Sequence, residues 1–402
     1  MPRPFLVPFV NTAHAIDHLV MLIFPTVVIA LSQEFAMSYG DLLALSVGGF
    51  IAFGAGSLPA GWLGDRWSRR KMMIVFFFGT GAACIVTGLV STPWQMAAML
   101  TVLGACAAIY HPVGNAMLAG LDPATMGRTM GINGLWGNLG VAAAALVAGA
   151  LTDWISWRAA FIAPGVASIA VGIAFAVMIR DDKPATAAAA RRQAAPASPP
   201  FDRAMLLRLF VILMVSTALN GVIFSATTLA MPKMFAERLS SLVSGTFGVG
   251  LLVSAVYAFA AFAQMCIGPV MDRWPTRTVF LPVVALQVPL LLLAGYAGGW
   301  TIVLVAVPMM FFVFGQIVVN EVMVARYCAD AVRSRVYAVR YFVSFGASAV
   351  AIPLVAVLHG HGQGFTTVFV VLGVGALGLV ASALWFPSGR ALAGAARAPA
   401  AP

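Results

Sequence analysis

Apolar residues run along this chain in twelve continuous stretches of about 20, and polar residues gather in the gaps between them. At about 1.5 Å rise per residue, a helix of that length crosses a hydrocarbon core of roughly 30 Å. The apolar positions are consecutive rather than alternating, so the pattern predicts helices and not barrel strands. Six stretches lie near 8–31, 41–63, 72–91, 95–119, 129–152 and 159–180, and six more near 205–232, 243–268, 278–298, 300–327, 335–358 and 364–386. The expected fold is an all-α membrane protein in which twelve transmembrane helices form two pseudo-symmetric six-helix bundles, 1–180 and 204–390. Between them, 181–203 is rich in Ala and Pro and lacks apolar periodicity, which reads as a linker. The last residues, 391–402, read as a disordered tail.

Composition sharpens this picture. Hydrophobic residues make up 61% of the chain and charged ones 9%, against about a quarter charged in a soluble domain. Soluble enzyme folds are excluded, because backbone polar groups in lipid are satisfied only inside helices or closed barrels. The amino terminus has no small-residue cleavage site and is expected to be the first span, not a removed signal. Cys84, Cys106, Cys266 and Cys328 are too widely spaced for a redox or metal motif.

The net charge of +10 is no nucleic-acid signal, because its residues sit in short loops facing headgroups. With the amino terminus inside, 19 basic residues fall on the cytoplasmic side: Arg3, Arg66, Arg69, Arg70, Lys71, Arg128, Arg180, Lys183, Arg191, Arg192, Arg203, Arg208, Arg273, Arg277, Arg326, Arg333, Arg335, Arg390 and Arg397. Only Arg158, Lys233 and Arg238 fall on the other side, and Arg340 lies within a span. Basic loops stay inside. Both termini are therefore expected in the cytoplasm, with a bacterial inner membrane as the expected location.

An internal repeat supports two halves. A shift of 207 superposes Gly61 on Gly268, Asp65 on Asp272, Arg66 on Arg273, Trp67 on Trp274 and Arg70 on Arg277, and also takes Pro25 to Pro232 and Arg128 to Arg335. Parallel repeats of this kind place a substrate route between them, near the midplane.

The loop Gly61, Leu63, Gly64, Asp65, Arg66, Arg69, Arg70 resembles the signature between the second and third spans of the major facilitator superfamily, with Ser68 where that pattern has glycine. The resemblance implies a gating role for this loop and for Asp272, Arg273 and Arg277 in the repeat. A further resemblance is to fosmidomycin-resistance-type efflux carriers. It is carried by Ala13 to His18, by Ile109 to Met117 with Asn115 among them, by Gly137 to Gly140, and by Asn320 with Glu321. This implies export, driven by proton antiport. Two antiporter features are missing: an Arg in the fourth span and a Gly-Pro in the fifth, where Val141 follows Gly140.

Ionisable residues inside a bilayer are costly and face protein or a water-filled cavity. Asn11, His14, Asp17 and His18 share one face of the first span. His14 and His111 lie at a similar depth, about 13 Å, and are expected to meet across the cavity. Histidine beside a carboxylate suits proton coupling; the alternative is that these groups only fix packing. Glu321 and Arg340 are expected either to pair across the tenth and eleventh spans or to serve the solute, with Tyr341 orienting an anionic group. His359 and His361 read as a solvated turn, and no metal site or cofactor is expected there or elsewhere.

The sequence thus points to a monomeric secondary transporter whose partners are a small organic solute, protons and the bilayer. Uptake of a metabolite such as a carboxylate, and carriage of a divalent cation on His14, Asp17, His18 and His111, remain open. No nucleotide-binding loop or nucleophile arrangement suggests an enzyme.

Overall fold

The structure is a computed structural model and describes residues 5–119, 126–180, 201–328, 330–361, 364–389 and 391–392. Most of the linker, the end of the tail, and the side chains of Arg3, Arg128, Lys183, Arg191, Arg192, Arg333, Arg335, His361, Arg390 and Arg397 lie outside the described residues.

Twelve helices are long and apolar enough to cross a membrane. The first six span Leu6–Glu34, Tyr39–Arg66, Arg69–Thr87, Pro93–Leu118, Thr129–Trp154 and Trp157–Met178. The second six span Arg203–Arg238, Gly245–Arg273, Thr276–Tyr296, Trp300–Tyr327, Val339–Gly360 and Phe365–Trp385. Each predicted stretch therefore corresponds to one span, and the protein is a multi-pass membrane protein of two six-helix bundles. The seventh overruns its predicted end because polar side chains anchor the extra turns: Arg238 donates to the carbonyls of Ala294, Gly295 and Ala297.

The halves meet along the fifth and eighth spans, the second and eleventh, and the first and seventh. Small residues bring the fifth and eighth backbones close. A Cβ on Gly250 would lie 2.2 Å from the Ala145 carbonyl oxygen, the kind of contact that drives helix association in lipid. Ser254 adds hydrogen bonds to Ala142 and from the Leu146 amide, and Asp153 accepts from the Phe247 amide at 2.7 Å.

The seam is also tied at the face opposite the linker. The Tyr39 hydroxyl donates to the Leu229 carbonyl at 3.3 Å, and the Tyr39 ring lies 5.0 Å from His359 and 5.9 Å from Phe365. His359 departs from the expected solvated turn. It belongs to a helix running Asp330–His361, where its Nε2 stands 3.5 Å from Glu237. Gly360 does not end that helix because the Tyr39, Phe365 and Glu237 contacts hold its last turn.

Candidate functional site

The site is built where helices break. The fourth span is one helix over Pro93–Ala107 and another over Tyr110–Ala119. Pro112 has no amide hydrogen, and its ring collides with the carbonyl four residues back, which interrupts the ladder at Ala108 and Ile109. The first span breaks likewise at Ile23, two residues before Pro25. Its repeat partner Pro232 sits within an unbroken helix. The two halves are thus alike in span order and unlike in local backbone.

His111 occupies the first turn after the break in the fourth span and reaches the first span. Its Nε2 lies 3.4 Å from Asp17 Oδ2. Asp17 is fully buried, and neither carboxylate oxygen has a hydrogen-bond partner. His14 turns elsewhere: its Nδ1 is 2.7 Å from the Asn133 carbonyl on the fifth span. A carbonyl only accepts, so Nδ1 carries a hydrogen; Nε2 is buried and unpartnered, an acceptor when the ring is neutral. Asn133 donates to Asn11 at 3.0 Å and to the Tyr110 hydroxyl at 2.8 Å. Tyr110 stacks on His14 with centroids 4.7 Å apart.

The expected face of Asn11, His14, Asp17 and His18 is therefore brought together with His111, but its groups are divided. Asn11 and His14 hold the fifth span; Asp17 addresses the fourth. His14 and His111 meet with centroids 5.2 Å apart. One ligating atom each of His14, His18 and His111 lies within 4.8 Å of the others, and this cluster could hold a divalent ion.

Gly137 explains part of the GNLG stretch. A Cβ there would fall 2.6 Å from both Cε1 and Nε2 of His14, and one on Gly140 would lie 2.2 Å from the Ala15 carbonyl oxygen. Only glycine leaves room for the imidazole and the first span.

Across the seam, His111 faces the eleventh span, 5.1 Å from the Phe345 ring and 5.8 Å from Tyr341. A cavity of about 70 Å³ lies here, lined by Ser57, Leu58, His111, Pro112, Tyr341, Phe342 and Phe345. Asn115 hydrogen-bonds Tyr341. Arg340 is buried and donates to Glu321 at 2.5 Å, the pairing that reduces the cost of either charge in the membrane. The residues named on the first, fourth, tenth and eleventh spans thus form one region spanning both halves.

The signature loop packs as the resemblance implies for its glycines: Cβ atoms on Gly61 and Gly64 would meet Pro112 at 3.2 Å and Val113 at 3.0 Å. Asp65 pairs with Arg69 at 2.8 Å, and Arg69 donates to the Ala116 carbonyl at 3.1 Å. Arg70 donates to the carbonyls of Ala176 and Ile179 at the end of the sixth span, while Arg66 lies over Trp62. In the second half the cation comes from a different helix: Asp272 lies 3.5 Å from Arg326 of the tenth span. A Cβ on Gly268 would meet nothing within 4 Å among the described residues, so the repeat keeps the charge pair without the tight packing. Among the described residues, no contact of Arg273 or Arg277 enters this arrangement.

Sequence reasoning missed Asn133, Tyr110 and a second polar cluster of Ser216, Asn220 and Gln316. Tyr110 is fully buried and adjoins His111 in the Ile109 to Met117 stretch; Asn133 carries a signal as an intramembrane amide four residues before Gly137. In sequence, Arg326 reads only as one of the cytoplasmic basic residues.

Comparison with known proteins fits this architecture. A bacterial homologue of the human lysosomal transporter Spinster, solved inward-facing and unoccupied, superposes with a TM-score of 0.73 at 14% identity, covering 98% of this chain and 97% of that one. Its occupied inward-facing form gives 0.74 at 14% identity, covering 96% of each chain. A puromycin resistance protein of Streptomyces alboniger is 29% identical over 110 residues, 27% of this chain and 22% of the relative. A Na(+), Li(+), K(+)/H(+) antiporter of Planococcus maritimus is 27% identical over 107 residues, 25% of each chain. The matches thus span about a quarter of these relatives' lengths. The Major Facilitator Superfamily profile matches residues 13–253, more than half of the sequence, and the chain belongs to that superfamily of transporters.

Proposed function

We propose that the protein is a proton-coupled exporter of a small organic solute, working by alternating access, with the proton carried by Asp17 and His111. The observation that supports this is a fully buried carboxylate with no hydrogen-bond partner and, among the described residues, no fixed cation, 3.4 Å from an imidazole at a helix break. One proton on this pair neutralises the charge that burial in a membrane penalises, and solvent reaching the site from alternate sides would load and release it. Asn11, His14 and His18 shape the site, and Asn115, Glu321, Arg340 and Tyr341 face the solute route from the other half. Where an anionic solute takes the place of Glu321 beside Arg340, the guanidinium would bind it, and resistance to puromycin in one relative is in keeping with export of drug-like solutes.

The loop residues Gly61, Gly64, Asp65, Arg66, Arg69 and Arg70, with Asp272, Arg273 and Arg277, govern the change of state. The 19-to-3 basic bias supports cytoplasmic termini in a bacterial inner membrane, and two complete six-helix halves in one chain support a monomer. Residues 1–180 and 204–390 act as the two moving bodies and 181–203 as their tether.

The test begins with a thermal-shift screen of organic anions, puromycin and fosmidomycin to find a solute. Protein in liposomes should then move that solute uphill against an imposed proton gradient, and release of protons with solute in the same direction would favour uptake instead. The three-imidazole cluster favours a second reading, carriage of a divalent cation, which zinc competing with proton flux and appearing inside the vesicles would expose.

A further inference from the structure

A second polar cluster lies apart from the histidines, between the seventh and tenth spans. Ser216, Thr217 and Asn220 fall on one face of the seventh at i, i+1 and i+4, and Gln316 and Asn320 on one face of the tenth at i and i+4. All five are buried, Ser216 and Gln316 completely. Ser216 donates to Asn320 Oδ1 at 2.8 Å, and the Gln316 amide donates to Ser216 at 2.7 Å and to Asn320 Oδ1 at 3.2 Å.

The hydrogen-bond inventory is unbalanced. The Ser216 hydroxyl and both Gln316 amide hydrogens already have acceptors. Three buried oxygens have no partner: Gln316 Oε1, Asn220 Oδ1 and Thr217 Oγ1. A buried acceptor without a donor is costly, and several on two facing helices mark a place where something positive or donating belongs.

We propose that this cluster binds an alkali cation, sodium or lithium, through the side-chain oxygens of Asn220, Gln316 and Thr217, with Ser216 and Asn320 beside them. Hard cations take oxygen ligands. None of these oxygens is charged, and Glu321, next to Asn320, is already paired with Arg340. A divalent ion would therefore lack the carboxylates that offset its desolvation, while a monovalent ion needs fewer. An antiporter acting on Na(+), Li(+) and K(+) among the relatives is in keeping with such a ligand. The repeat supports an ion site here: the seventh and tenth spans occupy the places in their half that the first and fourth, with the histidine cluster, occupy in theirs.

The experiment uses the full chain, purified in detergent and exchanged into choline chloride. Thermal unfolding is followed while sodium, lithium or potassium chloride replaces choline at constant ionic strength. A saturable rise in Tm with sodium or lithium is expected, with half-saturation raised at least ten-fold in Asn220→Ala and in Gln316→Leu. Thr217→Val, which removes one oxygen with little change of shape, should weaken binding in a protein that still folds. Sodium NMR on the unaltered protein should show broadening that lithium reverses. Equal behaviour in choline and sodium, or unchanged half-saturation in Thr217→Val together with absent NMR broadening, would overturn the proposal and leave these oxygens to water. The readout is cation binding, not proton-driven flux, so it stands or falls separately from coupling at Asp17.

Discussion

Asp17 and His111 face each other from the first and fourth spans at 3.4 Å, the carboxylate wholly buried and otherwise unpartnered. No guanidinium or ammonium shares this position among the described residues, so the pair balances its charge only with a proton. If this proton couples transport, Asp17→Asn abolishes movement of solute against its gradient yet leaves solute exchange at equal concentrations intact, because the cavity still opens to both sides. Flux assays in liposomes check both halves of the statement. Uphill transport with ordinary pH dependence in Asp17→Asn would return the pair to a packing role.

The imidazole of His14 fills the space that Gly137 leaves empty. Gly137→Ala puts a carbon 2.6 Å from the ring, and the overpacking should cost about 1–3 kcal/mol. Thermal unfolding would register this as a fall in Tm, and His14→Ala in the same chain should recover part of it. If Gly137→Ala is neutral, the ring moves freely and its bond to Asn133 does not fix it.

Arg340 is buried, whereas the Glu321 side chain keeps 38% of its exposure. Losing one partner of a buried pair costs roughly 3–5 kcal/mol, and the exposure of Glu321 places Glu321→Gln near the lower figure. The double change Glu321→Gln with Arg340→Gln should be less harmful than the sum of the single ones, as expected of coupled neighbours. Should Arg340→Gln instead leave stability unchanged and weaken binding of anionic solutes alone, the arginine serves the solute and not the pair.

The two loop carboxylates draw their cations from different helices, Asp65 from Arg69 on the third span and Asp272 from Arg326 on the tenth. Exposed pairs of this kind contribute at most about 1 kcal/mol to stability, so their removal should act on turnover instead. Arg69→Ala and Arg326→Ala should each slow transport several-fold with solute affinity little changed, measured by initial rates and equilibrium binding. Loss of affinity at an unchanged rate would separate these loops from gating.

Tyr39 ties the second span to the seventh through the Leu229 carbonyl. Tyr39→Phe removes that bond and keeps the ring contacts to His359 and Phe365. Labelling of a cysteine placed at Ala356, which lies against Gly40, should then be faster. Unchanged labelling would mean that ring packing alone holds the seam at this face.

Much of this molecule was legible in one dimension. A run of some 20 apolar residues has one stable form in lipid, so span number, helical class and two-fold repeat followed from hydropathy and from the recurrence of Gly, Asp and Arg at a fixed interval. The polar face of the first span followed from helical period, and the cost of burying Glu321 or Arg340 alone left their pairing as one of two readings, the other being service to the solute. What periodicity could not settle was the assignment of partners, because it fixes the angle around one helix and says nothing of which helix lies opposite. Asp17 was a turn from His14 in sequence and yet pairs with His111, because Asn133 already holds His14 and the break at Pro112 swings His111 inward. Arg326 replaces a third-span arginine in the second half for the same reason: a charge pair requires proximity, and proximity between spans is decided by packing. The unpartnered oxygens of Asn220 and Gln316 belong to tertiary structure entirely, since whether a buried amide finds a donor depends on every neighbour that surrounds it.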